Sequence, residues 1–139
     1  MLTQEQANRL ITLLKEAVRK DAFVWEMNKA QDEVLVAVEE QEIQFVLSMK
    51  RNPFKIRLHL RTRDRDISLV RVDNASYHPN PDGSEIRGQP HIHVYREGEG
   101  LNWAEPIDWF DLNNPLATLE RFLDFIHTRF PAGHQIAML

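Results

Sequence analysis

The chain has 139 residues, of which 42% are hydrophobic and 27% are charged, a balance typical of a folded globular protein rather than a disordered one. It contains no cysteine, which excludes disulfides, thiolate metal ligands and cysteine nucleophiles. The length predicts a single domain over residues 1–139. The N-terminus lacks the pattern of a signal peptide, and no apolar run reaches the ~20 residues that span a bilayer. We therefore expect a cytoplasmic protein with no membrane partner.

The net charge of −4 is unevenly distributed along the chain. Residues 50–71 contain eight basic side chains and only two acidic ones, Asp64 and Asp66. The rest of the chain is therefore strongly acidic. A concentrated basic segment keeps nucleic acid open as a partner even on a protein that is acidic overall.

The first predicted element is an amphipathic helix over residues 4–20. Thr3 and Gln6 form a capping-box pattern, in which each side chain satisfies a free amide of the first turn. Apolar residues then recur at helical spacing. They are Ala7, Leu10, Ile11, Leu14, Ala17 and Val18.

Beyond this helix the hydrophobic period changes to strict alternation, which predicts strands. Five alternating segments can be recognised, at residues 34–38, 43–49, 56–60, 70–72 and 92–94. Because several of the connections between them are short, we expect a four- or five-stranded antiparallel meander. One face of this sheet is apolar and the other is polar.

A second helix is predicted over residues 115–130. Asn114 is a good N-cap before Pro115, and Pro131 ends the segment. This range places His127 and Arg129 in the last turn. The predicted fold class is α+β, a two-layer sandwich with the N-terminal and C-terminal helices packed on the apolar face of the meander.

Three aromatic residues precede the second helix, and we expect them to fill the core rather than to stack on bases. They are Trp103, Trp109 and Phe110.

The most distinctive polar residues lie in and before the last predicted strand. His91, His93 and Tyr95 alternate with Ile92 and Val94, so the first three point to one face. If Ile92 and Val94 enter the core, that face is the polar one, and we expect it to be open to solvent. The parity of the neighbouring strand places two further charged residues there, Arg71 and Asp73. The preceding connection, "HPNPDGSEIRGQP", is expected to bring His78 and Asn80 to the rim of the same face.

The alternating segment "KIRLHLRTRDR" also faces this side. We expect it to bind the phosphate backbone of RNA or another nucleic acid, since each phosphate contact releases counterions. The alternative is a solvated face whose charges prevent edge pairing. The candidate RNA-binding residues are Lys55, Arg57, His59, Arg61, Arg63 and Arg65.

Two chemistries remain open for the histidines, besides the alternative that they are half-exposed and inert. They can transfer protons at neutral pH, because the ordinary imidazole pKa is about 6.5. They can also chelate a divalent metal, completed by Asp73 or His78. The nearby arginines raise the cost of holding a dication, so we expect no metal and no cofactor.

The stretch "LVRVDNASYHPNPDGSEIRGQPHIHVYREGEG" resembles small bacterial and phage proteins of unknown function that carry an HxNPDG…HIHxY signature. More distantly, "RVDNASYHP" followed by "PHIH" resembles the TumE-type toxin family of toxin–antitoxin systems. Tyr77 departs from that pattern, and the connection is longer here. The resemblance implies a small protein from a mobile or defence-related locus, with a cognate antitoxin as a partner. The matching positions are Arg71, Asp73, Asn74, His78, His91 and His93.

The function that we expect is a toxin-type ribonuclease that needs no metal. His91 and His93 supply acid and base, with Tyr95 as an alternative donor. Arg71 holds the scissile phosphate, and Asp73 fixes an imidazole tautomer. One alternative is a non-catalytic module that binds nucleic acid or protein. A second is a metal-dependent hydrolase in which His78 is the third ligand.

Overall fold

The computed structural model describes residues 1–137. The helices are α1 (Gln4–Thr12) and α2 (Pro115–Phe125). The strands are β1 (Lys15–Ala17), β2 (Phe23–Trp25), β3 (Gln31–Ala37), β4 (Gln44–Arg51), β5 (Ile56–Thr62), β6 (Ser68–Asp73), β7 (Tyr77–Pro79), β8 (Glu85–Arg87), β9 (His91–Val94), β10 (Ala104–Pro106), β11 (Thr128–Arg129) and β12 (His134–Ile136).

Eight of these strands form one sheet in the order β10-β9-β6-β5-β4-β3-β1-β11. The five strands predicted from alternation are β3, β4, β5, β6 and β9, and they lie side by side with antiparallel pairing. Strand β10 extends one edge, while β1 and then β11, which is parallel to β1, extend the other. Strand β2 pairs with β12, and β7 pairs with β8, outside this sheet.

The mixed α and β composition with two helices is confirmed, but the predicted strand number is too low. Residues 1–137 contain twelve strands, and the sheet is not a simple meander. The seven additional strands have two or three residues each. Such strands are too short to display an alternating pattern, and their partners along the sheet edges hold them in place.

The core lies between the apolar face of the sheet and the two helices. The sheet contributes side chains such as Leu47, Leu58 and Leu60, which are fully buried. The helices contribute buried residues to the same cluster, namely Ala7, Ile11, Leu119, Phe122 and Leu123. Burying one such large aliphatic side chain stabilises the fold by about 1.5–3 kcal/mol. A shift of the strand register by one residue would turn all the buried side chains of that strand towards solvent. This face therefore sets which side chains point to the opposite, polar face.

Helix α1 begins at the predicted capping box but ends at Thr12 instead of residue 20. Residues 15–17 instead form β1, which is hydrogen-bonded to β3 on one side and to β11 on the other. Leu14 and Val18, which helical spacing assigned to the core, are 46% and 55% exposed. Two neighbouring strands thus outweigh the helical preference of this segment.

Helix α2 also begins as predicted, since the Asn114 side chain accepts a hydrogen bond from the Ala117 amide. It ends at Phe125, so the prediction that His127 and Arg129 occupy its last turn is wrong. His127 adopts a left-handed conformation with φ of 52°, which turns the chain into β11. Arg129 lies on β11 and forms an ion pair with Glu16 of β1.

Lys15 is a fully buried cation beneath the two helix ends. Its Nζ donates to the carbonyls of Ile11, Leu13 and Ile126, each at 2.8 Å, and lies 4.9 Å from the centroid of the Phe45 ring. These carbonyls belong to the C-terminal ends of α1 and α2, where backbone acceptors lack helical partners. Burial lowers the pKa of Lys15 to about 7.

The three aromatic residues before α2 do not share one environment. Trp109 and Phe110 pack against the core as predicted. Trp103 instead lies half-buried at the surface, where the Arg96 guanidinium sits 4.3 Å from its ring centroid. No helix in the described part of the chain is both long and apolar enough to cross a membrane.

Candidate metal centre and adjoining basic groove

The register between β6 and β9 brings four of the predicted site residues together on the polar face. Arg71 is paired with His93, and Asp73 with His91, so the four side chains project from adjacent positions. Because β6 also pairs with β5, Arg57 stands opposite Asp73 on the next strand. Their convergence follows from strand alternation and from this pairing.

The end of the polar face that carries these histidines is covered, not open as predicted. His91 and His93 are each only 1% exposed. The β7–β8 hairpin folds over them and is held to β10 by Asn80. The Asn80 amide group donates to the Ala104 carbonyl and accepts from the Ala104 amide. The chain between β9 and β10 closes the other side, so the imidazoles are shielded from bulk water.

The hairpin carries His78 directly onto the two strand histidines. The ring centroid of His78 lies 5.6 Å from that of His91 and 4.7 Å from that of His93, and the two strand rings are 5.1 Å apart. One ring nitrogen of each residue lies within 4.8 Å of the others. We call these three residues the imidazole cluster. Three nitrogens at this separation can coordinate a single divalent ion after small side-chain adjustments.

Backbone carbonyls fix which nitrogen of each ring is free. Nδ1 of His91 contacts the Gln89 carbonyl at 2.9 Å, and Nδ1 of His93 contacts the Leu101 carbonyl at 2.8 Å. Nε2 of His78 contacts the Asn102 carbonyl at 2.9 Å. A carbonyl oxygen can only accept, so these three nitrogens carry the protons. The opposite nitrogens keep lone pairs, and outer hydrogen bonds of this kind orient metal-ligating histidines.

Asp73 approaches the free nitrogen of His91 closely. Its Oδ1 lies 3.2 Å from Nε2 of His91. Both atoms are acceptors when the proton of His91 resides on Nδ1, so this contact requires either a second proton or a cation between them. A cation bound by the histidines would occupy the free nitrogen of His91 and leave the carboxylate able to accept a hydrogen bond from a water on that cation.

Arg71 lies between the carboxylate and the second imidazole. Its Nε donates to Oδ2 of Asp73 at 3.2 Å, and its Nη2 lies 3.3 Å from Nε2 of His93. The guanidinium also lines the depression beside the hairpin, together with His78. It can therefore present a positive charge to a ligand next to the cluster.

The protonation states follow from this environment. Burial, with a smaller effect of the Arg71 charge, lowers the pKa of His93 to about 4, against the opposing effects of the Leu101 carbonyl and Asp73. Burial alone would raise the pKa of Asp73, but the Ala75 amide, His91 and Arg71 hold it below its ordinary value. At neutral pH, His93 is thus a neutral acceptor and Asp73 is ionised. This is the state that metal coordination requires.

Tyr95 does not belong to the site, contrary to its predicted position beside the histidines. It is 4% exposed within the core, and its hydroxyl donates to the Leu2 carbonyl at 2.6 Å. It follows the last residue of β9, next to the irregularity where the pairing of β5 with β6 shifts register after Leu60. The alternation that predicted its direction does not extend past this point.

The six candidate RNA-binding residues do not form one surface. Arg61 is neutralised by Asp66 at 2.7 Å. Arg63 and Arg65 lie beyond β5 and line a separate depression next to α1. His59 is half-buried and bonded to Ser68, and its lowered pKa leaves it neutral. Lys55 and Arg57 are exposed and, within the described chain, neither forms an ion pair.

Lys55 and Arg57 instead line a groove of about 500 Å³ that reaches Arg71 and Asp73. These two side chains are in turn within 3.3 Å of His93 and 3.2 Å of His91. Lys50 of β4 lies directly opposite Arg57 and contributes a third cation. Arg71 and Asp73 line the end that adjoins the histidines. We call this the basic groove, lined chiefly by Lys50, Asn52, Lys55, Arg57, Arg71, Asp73 and Asn74.

Sequence reasoning missed several residues that shape this region. Lys50 was counted in the basic segment but was not assigned to the site, although its pairing with Arg57 follows from the short hairpin between their strands. The carbonyls that orient the three imidazoles lie in loops, where no sequence periodicity indicates which way a backbone group points. Asn80 was expected at the rim of this face, but its hydrogen bonds to Ala104, which hold the hairpin to β10, depend on the tertiary structure.

In a comparison with protein families, residues 2–128 match a model described as "Family of unknown function (DUF6978)". The chain belongs to the DUF6978 family. The predicted assignment to an uncharacterised family is thereby confirmed. The family match includes every residue of the imidazole cluster and the basic groove. Comparisons with curated proteins and with solved structures gave no match.

The neutral state of His59 has a consequence for stability. Burial lowers its pKa to about 4, with Arg61, Arg57 and Arg71 adding to this shift and Asp66 opposing it. The unfolded chain, with an ordinary imidazole pKa near 6.5, binds more protons between pH 6.5 and 4. The free energy of unfolding should therefore fall as pH decreases through this window.

We expect the His59→Gln variant to lose up to about 3 kcal/mol of this pH dependence. Urea denaturation of both proteins at pH 7, 5.5 and 4 measures the difference. If the free energy of unfolding changed equally with pH in the two proteins, His59 would not be the titrating group.

Proposed function

We propose that the protein is a metal-dependent hydrolase that cleaves phosphodiester bonds in RNA. The observation that supports this most strongly is the imidazole cluster, in which three oriented lone pairs converge in a shielded pocket. Three imidazoles favour a zinc-class ion and leave a fourth position for water. The metal-dependent hydrolase was an alternative prediction from the sequence, and it is now the function that we propose first.

The neighbouring side chains supply the remaining requirements of the reaction. An ion held by the three histidines would supply a water of lowered pKa as the nucleophile for hydrolysis at phosphorus, with solvent protonating the leaving oxygen. Ionised Asp73 can accept a hydrogen bond from that water and orient it. Coordination occupies Nε2 of His93, which frees the Arg71 guanidinium to bind a phosphate oxygen.

A metal-independent ribonuclease is the second candidate, and the contact between His91 and Asp73 favours it. A second proton on Nε2 of His91 would also satisfy the 3.2 Å contact, giving an imidazolium that can act as a general acid. His93, neutral because its pKa is lowered to about 4, would be the base. This arrangement does not need His78.

The two candidates are separated by incubating the purified protein with total RNA, with zinc or manganese and with EDTA. The metal-dependent enzyme loses cleavage in EDTA and in the His78→Asn variant. The metal-independent enzyme keeps activity in both and releases a 2′,3′-cyclic phosphate. Metal content per chain is measured on the same samples by mass spectrometry.

Absence of cleavage under every condition, together with no bound metal, would reject both enzymes. The non-catalytic binding module would then remain. In that case charge reversal at Arg57 should abolish nucleic-acid binding, whereas substitution of His91 should not affect it.

The resemblance to TumE-type toxins adds a proposal about biological context. We propose that the protein acts as a growth-inhibiting toxin that is neutralised by a protein antitoxin. Induced expression in bacteria should arrest growth, and His93→Gln should relieve the arrest at equal protein level. Normal growth with active, soluble wild-type protein would contradict this role.

A further inference from the structure

We propose that the basic groove binds a single-stranded nucleic acid, with one unstacked base placed on the ring of Phe54 and the backbone running towards the imidazole cluster. The assignment of the groove as the path to the reactive site rests on the proposed function. Binding itself does not require catalysis. The binding site can therefore be tested separately from hydrolysis.

Phe54 is an exposed aromatic side chain on a rigid turn. It is 78% exposed, more than any other large hydrophobic residue in the described chain except Met1. Asn52 accepts hydrogen bonds from the amides of Phe54 and Lys55, both at 2.8 Å. Asn74 donates to the Phe54 carbonyl and accepts from the Ile56 amide. A turn fixed from both sides presents the ring without losing loop entropy on binding.

The position of Phe54 links it to the groove. Asn52, Lys55 and Asn74, which hold or flank the ring, all line the groove. A ring beside a cationic channel is the arrangement that single-stranded nucleic acids use, because bases stack on aromatics while phosphates contact cations. In a duplex the bases are already stacked and do not reach a lone ring.

The cations of the groove are available for phosphate. Lys50, Lys55 and Arg57 form no ion pair within residues 1–137, whereas Arg61 on the same face is paired with Asp66. The carboxylate that lines the groove is Asp73, at the end next to the histidines. The free positive charge is thus concentrated between Phe54 and the cluster.

The polar face continues on both sides of this channel. Arg71 lines the groove and also the depression under the β7–β8 hairpin. Lys50 and Arg57 line the groove and a further depression towards β3. A strand bound along Lys55 and Arg57 is therefore led past Arg71, where the scissile phosphate would meet the cluster.

The test measures binding of short fluorescein-labelled RNA and DNA strands by anisotropy, in EDTA so that metal-dependent hydrolysis is off. Phe54→Ala should weaken binding of the RNA strand by about 5- to 100-fold, the usual effect of losing one base–aromatic stack. Phe125→Ala is the matched control, because Phe125 is also exposed, at 40%, but lies on α2. It should bind like the wild type.

A strand with one abasic site at each position in turn identifies the stacked base. On the strand that lacks that base, Phe54→Ala and the wild type should bind equally. A loss of the same size on every strand would show that Phe54 supports the turn and does not stack. Circular dichroism of the variant confirms that its fold is retained.

Salt dependence tests the backbone contacts. Each phosphate contact on a single strand contributes about −0.7 to the slope of log K against log salt. Lys50→Ala and Lys55→Ala should each reduce the slope by about this amount, whereas exposed Lys20→Ala should not. Unchanged slopes in both groove variants would overturn the proposal.

The outcomes separate this inference from the proposed function. Specific binding in EDTA without cleavage in metal supports the groove and rejects the hydrolase. Cleavage that is insensitive to Phe54 and Lys50 supports the hydrolase and rejects the groove. Equal affinity for DNA and RNA would show that the groove binds single strands of either kind. Tighter binding of RNA would show that the groove also contacts the 2′-hydroxyl groups.

Discussion

Replacing His93 by glutamine is expected to remove the bound metal ion and to lower RNA cleavage by at least about 10²-fold. His93 supplies one of three ligand nitrogens, and two imidazoles alone hold a zinc-class ion much more weakly. Its free Nε2 also faces Asp73 at 3.9 Å and Arg71 at 3.3 Å, so no other side chain of the cluster contacts as many partners. Its loss therefore affects both metal and phosphate binding.

Two measurements check this result. Mass spectrometry of metal-loaded, desalted protein should give about one ion per wild-type chain and almost none for His93→Gln. Initial rates on a labelled RNA, measured with added metal, should fall in parallel. The glutamine amide can still donate towards the Leu101 carbonyl, so the loop over the site retains an anchor.

The matched control is His134→Gln, which removes an imidazole from β12, outside the main sheet. It should leave metal content and rate at the wild-type level. Full metal content in His93→Gln would contradict the metal centre. Retained metal with lost cleavage would instead assign His93 a role in proton transfer.

The second large effect concerns stability and the buried Lys15. Lys15→Met should lower the free energy of unfolding by about 3 kcal/mol or more, since it removes the amine donor from the carbonyls of Ile11, Leu13 and Ile126. Of these three, the Ile126 carbonyl still accepts from the Thr128 hydroxyl. Methionine has similar length and fills the space beside Phe45, so the loss reports the missing hydrogen bonds rather than a cavity. The C-terminal ends of α1 and α2 should separate from the sheet first.

Urea denaturation followed by circular dichroism measures the change, and exposed Lys20→Met is its control. Hydrogen exchange at the amides of residues 15–17 should accelerate in Lys15→Met, because β1 is held next to both helix ends. A variant as stable as the wild type would show that water replaces the lost amine donor.

Strand alternation predicted much of the candidate site. The shared face of His91 and His93, and of Arg71 and Asp73, follows from a period of two that each strand carries locally. The pairing of these strands was expected from the apolar face that each must bury, although residues 74–90 separate them along the chain. The cap residues Thr3 and Asn114 could also be predicted from the sequence, because a helix start depends on neighbours within three residues.

Other features could not be predicted because they depend on distant partners. Helical spacing of apolar residues continues past Thr12 and predicted a buried Leu14, but Leu14 is exposed. The segment that follows it pairs with β3 and β11 as a strand instead of continuing the helix. Tyr95 points into the core because the ladder becomes irregular where β9 ends, which no local pattern indicates. The single basic surface expected from residues 55–65 is divided by ion pairs such as that of Arg61 with Asp66.

The sequence by itself thus determined the mixed α and β class, the five central strands and the face on which the histidines lie, since these depend on short-range periodicity. Only the tertiary structure decided what the histidines can do. The β7–β8 hairpin places His78 on His91 and His93, and loop carbonyls choose the tautomers. Burial then lowers the pKa of His93 to about 4. Long-range contacts fix these properties, and the proposal that the histidines act as metal ligands rests on them.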